Sequence, residues 1–129
     1  MDGRIQDERI LKLELRLAQL EKNEECQNTF LSFVKTIWPS FIQGRHHEII
    51  SEKLERVARG ELKRLIINMA PRHTKSEFAS FLFPAWMMGR NPSMKIIQAT
   101  HTTELAVNFG RKVKNLIETD DFKTVFPDV

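Results

Sequence analysis

Leu65-Ile66-Ile67-Asn68-Met69-Ala70-Pro71-Arg72-His73-Thr74-Lys75-Ser76 is the stretch on which the reading of the fold turns. Its first five residues form a short apolar run rich in branched side chains, the signature of a buried strand. Pro71 stiffens the loop that follows, and helix signals resume at Ser76, where Phe78, Phe81 and Leu82 form an apolar series interrupted by Pro84. The turn Gly89-Arg90-Asn91-Pro92 leads to a second strand candidate, Lys95-Ile96-Ile97-Gln98-Ala99-Thr100, and a helix is expected over residues 103–117. Strand, helix, strand, helix is the alternation of a parallel sheet covered by helices, so the expected class is α/β. Two strands are too few for such a sheet. Either other segments supply strands or the chain is a fragment.

A strand, a tight loop and Lys-Ser at a helix start form the layout of a phosphate-binding P-loop. The first turn of a helix offers unpaired N–H groups and the positive end of its dipole, which together cradle a triphosphate. Lys75 would reach the β- and γ-phosphates of ATP and the Ser76 hydroxyl would ligate Mg²⁺, with Arg72 and His73 as further phosphate donors. Against G-x-x-x-x-G-K-[ST], both glycines are replaced, by Met69 and Thr74. The bland reading of the same pair is a solvated lysine beside a helix cap.

Upstream, the chain reads as helix. Residues 5–26 contain no Pro or Gly, and Ile10, Leu13, Leu17 and Leu20 recur at spacings of three and four, with Leu11 and Leu15 broadening the stripe. Two heptads are short for a self-sufficient coiled coil; the stripe packs either on its own domain or on a partner. A second helix over residues 29–37 ends against Trp38-Pro39. A third, residues 45–58, carries Ile49, Ile50, Leu54 and Val57 on one side and closes at Arg59-Gly60. The organisation expected is an amphipathic helical segment, 1–26, followed by a body, 27–129.

The 129 residues are enough for one domain, and 41% hydrophobic with 29% charged residues is the balance of a globular protein. A single cysteine, Cys26, forms no internal disulfide, and no apolar run approaches a membrane span, so a cytosolic setting is expected. The net charge of +3 is uneven: residues 1–25 hold five Lys/Arg against seven Asp/Glu, and the rest hold fifteen against ten. A basic body is compatible with phosphate-rich partners.

The segment APRHTKS resembles the P-P-R-H-G-K-S loop common in the large terminase subunits of tailed bacteriophages. The resemblance extends through WPSFIQGRHHEII before it, GELKRLIINMAPRHTKSE across it, and FPAWMMGRNPSMKIIQAT and VFP after it, covering residues 30–129. It implies a P-loop NTPase fold and an ATP hydrolase that drives double-stranded DNA into a procapsid in the host cytoplasm. The partners so implied are the small terminase subunit, the portal and procapsid, and further copies of the motor subunit. Carried over by position, Lys75 and Ser76 take the loop's phosphate and Mg²⁺ roles, and Pro71, Arg72, His73 and Thr74 line it. Gln43, His46 and His47 match the segment near the adenine, where ordinary surface and core histidines are the other reading. The segment Gln98-Ala99-Thr100-His101-Thr102-Thr103 falls where such motors can face DNA, although strand end plus helix cap accounts for Thr102 and Thr103 equally.

No later apolar strand ends in paired acids, and Asp120-Asp121 reads as a helix start, so the carboxylates that would position Mg²⁺ and the attacking water have no candidates. The nuclease carboxylates of the family are also missing, which makes a truncated product the expectation, one that binds ATP weakly and turns over almost none. Two other readings remain: a helicase-like P-loop translocase fragment, and a non-catalytic module that engages partners through its first helix and basic surface.

Overall fold

A computed structural model of the chain describes residues 2–70 and 75–129. Among the described residues, six α-helices follow one another: α1 (Asp2–Asn28), α2 (Phe30–Ile37), α3 (Arg45–Ala58), α4 (Phe83–Arg90), α5 (Thr103–Ile117) and α6 (Asp120–Val125). A π-helical stretch, Glu77–Leu82, leads directly into α4, and the helical run it belongs to is already under way at Lys75 and Ser76.

The expected α/β architecture with a parallel sheet is not formed: among the described residues there is no strand and no sheet. Both strand candidates lie outside the helices, and their burial alternates residue by residue. Leu65, Ile67 and Met69 pack against the core while Ile66 is 84% exposed; in the second segment Ile97 is 94% exposed. Each segment thus lays one face on helices and finds no neighbouring strand. A run such as Leu-Ile-Ile predicts a strand covered on both faces, but a sheet also requires a partner strand along the edge, and here only one face is covered.

Aromatic rings hold the helices together. Phe30, the first residue of α2, meets Phe78 and Phe83 edge-on, with ring centroids 5.6 and 5.7 Å away, and Trp86 at 5.4 Å. Edge-to-face pairs of this kind add about 0.5–1.5 kcal/mol each beyond the area they bury. Phe33 extends the cluster to Phe122 and Phe126, which brings α6 onto α2. Gly89 of α4 lets Phe126 pack closely on that helix as well: a Cβ there would come within 2.5 Å of the Phe126 ring.

Helix ends explain the connections. The Trp86 indole N–H donates to the Cys26 carbonyl at 2.9 Å, and Gln27 donates to the Val125 carbonyl at 2.6 Å, so the last turn of α1 is tied into the body. The first N–H of α2, on Phe30, is taken by the Glu55 carboxylate of α3 at 2.9 Å. At the end of α3, Gly60 adopts φ 80° while Glu61 N–H bonds the Arg56 carbonyl and Gly60 N–H that of Val57, a Schellman closure.

Proline accounts for one further join. Pro84 has no N–H to offer the Ser80 carbonyl four residues earlier, and an α-helical path would drive its ring against that carbonyl. The helix is widened into its π form at this point, and Gln98 of the second extended segment donates to the Ser80 carbonyl at 2.6 Å. The missing bond thereby becomes the anchor of the neighbouring segment.

α1 differs from the rest. Residues 2–22 are exposed, and the helix first becomes buried at Cys26. Ile10, Leu13, Leu17 and Leu20 are 53, 66, 57 and 56% exposed, so the stripe packs on no part of its own body. Among the described residues, no helix is long and apolar enough to cross a membrane.

Candidate phosphate-binding site

The loop residues assigned from sequence, Pro71, Arg72, His73 and Thr74, lie outside the described residues. Lys75 and Ser76 follow them in sequence and belong to the helical run that reaches Arg90. Ser76 has helical dihedral angles, φ −67° and ψ −37°, and its side chain makes no capping hydrogen bond. A serine acting as a helix cap has extended backbone and accepts from an N–H two or three residues on. Ser76 does neither, and its exposed side chain leaves the hydroxyl open to a ligand.

Lys75 is half-buried. Phe78 follows one turn later, fully buried, and its ring reaches Phe41 at 5.4 Å and His47 at 5.0 Å. The two sequence-assigned segments, residues 43–47 and the helix opening at Lys75, are therefore joined through one aromatic side chain. Glu77 is drawn towards α5 by the Lys112 ammonium at 3.5 Å.

The upstream segment is organised by a histidine. The Gly44 N–H donates to His47 Nδ1 at 2.8 Å and the His47 N–H donates to the Gly44 carbonyl at 3.1 Å, a reciprocal closure of the start of α3. Accepting at Nδ1 places the proton of a neutral ring on Nε2. His47 is 5% exposed and packs edge-on to Phe41 at 4.7 Å, so its ring serves the cap and the core together. His46 stacks on it at 3.8 Å. Gln43 is drawn to Glu48, donating at 2.6 Å.

His46 also lines a groove of about 280 Å³ between α3 and the first extended segment, with Ile49, Ile50, Lys53 and residues 65–69 forming the rest of the wall. Sequence reasoning gave Lys53 no role. Its signal was the spacing: positions 46, 49, 50 and 53 fall on one helix face.

The second extended segment is largely accounted for by structure. Gln98 holds the Ser80 carbonyl, Thr100 donates its hydroxyl to the Thr102 carbonyl at 2.5 Å, and the Thr102 hydroxyl accepts from Leu105 N–H at 3.2 Å as the cap of α5. An apolar cleft of about 490 Å³ lies behind it, walled by Pro84, Met88, Ile96, Gln98, Val113 and Ile117 among others. Asp120 and Asp121 open α6, as a helix-start pair does, with Thr119 as the cap.

Among the described residues, no three His, Cys, Asp or Glu side chains gather as a metal site. Ser76 offers one oxygen ligand, which fits Mg²⁺ carried mainly by phosphate oxygens and water rather than by a protein cage. The chain matches no protein-family model, no curated protein and no solved structure in the comparisons made.

Proposed function

We propose that the chain serves a viral DNA-packaging motor, as the part of a terminase large subunit that grips the phosphates of ATP at Lys75 and Ser76. One observation carries this reading. Ser76 lies in a helical run already under way at Lys75, with helical backbone and no side-chain capping hydrogen bond, immediately after a lysine and downstream of residues 65–70. Helix capping, the plainest explanation of a Lys-Ser pair at such a place, does not apply to it. The sequence resemblance over residues 30–129 supplies the biological setting.

In this reading the Lys75 ammonium neutralises the β- and γ-phosphates, helix-start N–H groups donate to the same anion, and the Ser76 hydroxyl completes the Mg²⁺ shell when ATP·Mg²⁺ is bound. Gln43, His46 and Lys53 stand on the neighbouring α3 side, where a base and ribose would be received. Glu77, the acid nearest in sequence, is engaged by Lys112 at 3.5 Å. Binding without appreciable turnover is the expected behaviour of this chain.

The test is calorimetric titration with ATP·Mg²⁺, paired with phosphate-release kinetics. Weak, Mg²⁺-dependent binding and turnover far below about 1 s⁻¹, the low end of ordinary enzyme rates, are expected. Absence of any nucleotide binding would favour the other reading, a partner-binding module working through the exposed stripe of α1. Rapid turnover would show that a catalytic carboxylate had been overlooked.

A further inference from the structure

α1 projects from the body as a bare helix: residues 2–22 touch nothing that buries them, a length of about 32 Å at 1.5 Å per residue. Most helical stability in proteins comes from packing an amphipathic face, and residues 2–22 lack that packing, so the apolar stripe calls for a cover. Placed on a heptad, Ile10 and Leu17 occupy the a positions and Leu13 and Leu20 the d positions. The flanking positions then sort by charge: the e positions are Asp7, Glu14 and Glu21, and the g positions include Arg9 and Arg16.

That sorting identifies the cover. In a parallel pair, each g residue faces the e residue five positions further along its partner. Arg9 would face Glu14 of the second copy and Arg16 would face Glu21, and the symmetry of the pair makes each contact twice. In an antiparallel pair g faces g and e faces e, which sets Arg against Arg and Glu against Glu. Branched Ile10 at a with leucine at d also favours two strands.

We infer that α1 pairs with α1 of a second copy of this chain as a parallel, in-register coiled coil over residues 9–21. This does not depend on the nucleotide reading above. The seam is short because Asp2 and Asp7 would repel at its start, and Glu24 at a and Gln27 at d close it just before Cys26 enters the body. Leu11, Leu15 and Ala18 lie on the other side of the helix and take no part. Four apolar residues per copy over less than two heptads make a weak pair, so association is expected at the upper end of an accessible concentration range.

Sedimentation velocity of the full chain from low to several hundred micromolar tests this. The expected result is a concentration-dependent rise from the 15.1 kDa monomer to twice that mass. A monomer throughout, or a trimer, would overturn the inference. Arg9→Glu with Arg16→Glu should weaken self-association at least about tenfold, and mixing that variant with Glu14→Arg/Glu21→Arg should restore it. Leu11→Gln with Leu15→Gln should leave the dimer intact; loss of the dimer there would show that the wrong face was chosen. Leu13→Cys should cross-link to itself on mild oxidation. Preferential cross-linking of Leu13→Cys to a Leu17→Cys copy would mean antiparallel pairing and overturn the assignment.

Discussion

Two extended segments run into two helices, and the chain treats the two junctions differently. Residues 95–100 enter α5 through Thr102, which has extended backbone and caps Leu105 N–H, while Gln98 fastens the segment to the Ser80 carbonyl. Residues 65–70 lead towards a helical run in which Ser76 is already helical and caps nothing. One junction is closed by its own side chains. In the other, Ser76 is helical and its side chain makes no capping hydrogen bond. The contrast is between a threonine that caps its helix and a serine that caps nothing.

The largest effect should come from beneath Lys75 and Ser76. Phe78→Ala removes the ring shared by Phe30, Phe41 and His47 and should cost about 3–5 kcal/mol in denaturant unfolding, as buried Phe→Ala changes do. At the closed junction, Val107 of α5 is 49% exposed, and Val107→Ala should stay within about 0.5 kcal/mol. Comparable losses at both sites would erase the asymmetry in packing.

A smaller effect tests the proline account. Gln98→Ala strands the Ser80 carbonyl and should cost about 1–3 kcal/mol. If Pro84→Ala is made first, an α-helical N–H becomes available for that carbonyl, and the added loss from Gln98→Ala should shrink. Additive losses would show that Gln98 stabilises the segment for another reason.

The smallest pair sharpens the comparison most. Thr102→Ala should cost about 1 kcal/mol as the loss of a helix cap, whereas Ser76→Ala should change stability by less than about 0.5 kcal/mol. Thermal unfolding of the two variants side by side measures this. A cap-sized loss at Ser76 would erase that contrast.

Much of the helical framework was legible in the sequence. Apolar spacing with Arg59-Gly60 fixed the third helix over Arg45–Ala58, and residues 103–117 form α5 as expected. The sheet was misread because apolar runs report burial but not what does the burying: Ile66 and Ile97 look like two-sided strand residues and stand in the open. At the site, the adjacency of Lys75 and Ser76 was legible, since it needs only sequence order. The use of His47 as a cap acceptor for Gly44 was not, because it depends on the ring turning back along its own helix. Pro84 did carry a readable signal, an unpaired carbonyl at Ser80, although nothing in the sequence named Gln98 as its partner.

The central claim is that Lys75 and Ser76 are held for phosphate. It is tested most directly by the affinity of ATP·Mg²⁺ for the wild-type chain, for Lys75→Ala, and for Thr102→Ala as a variant of the closed junction. The account predicts that Lys75→Ala weakens binding at least about tenfold, the loss expected of a charge-assisted contact worth about 1.4 kcal/mol or more, while Thr102→Ala binds as the wild type does. Equal affinity in the wild-type and Lys75→Ala chains would contradict it.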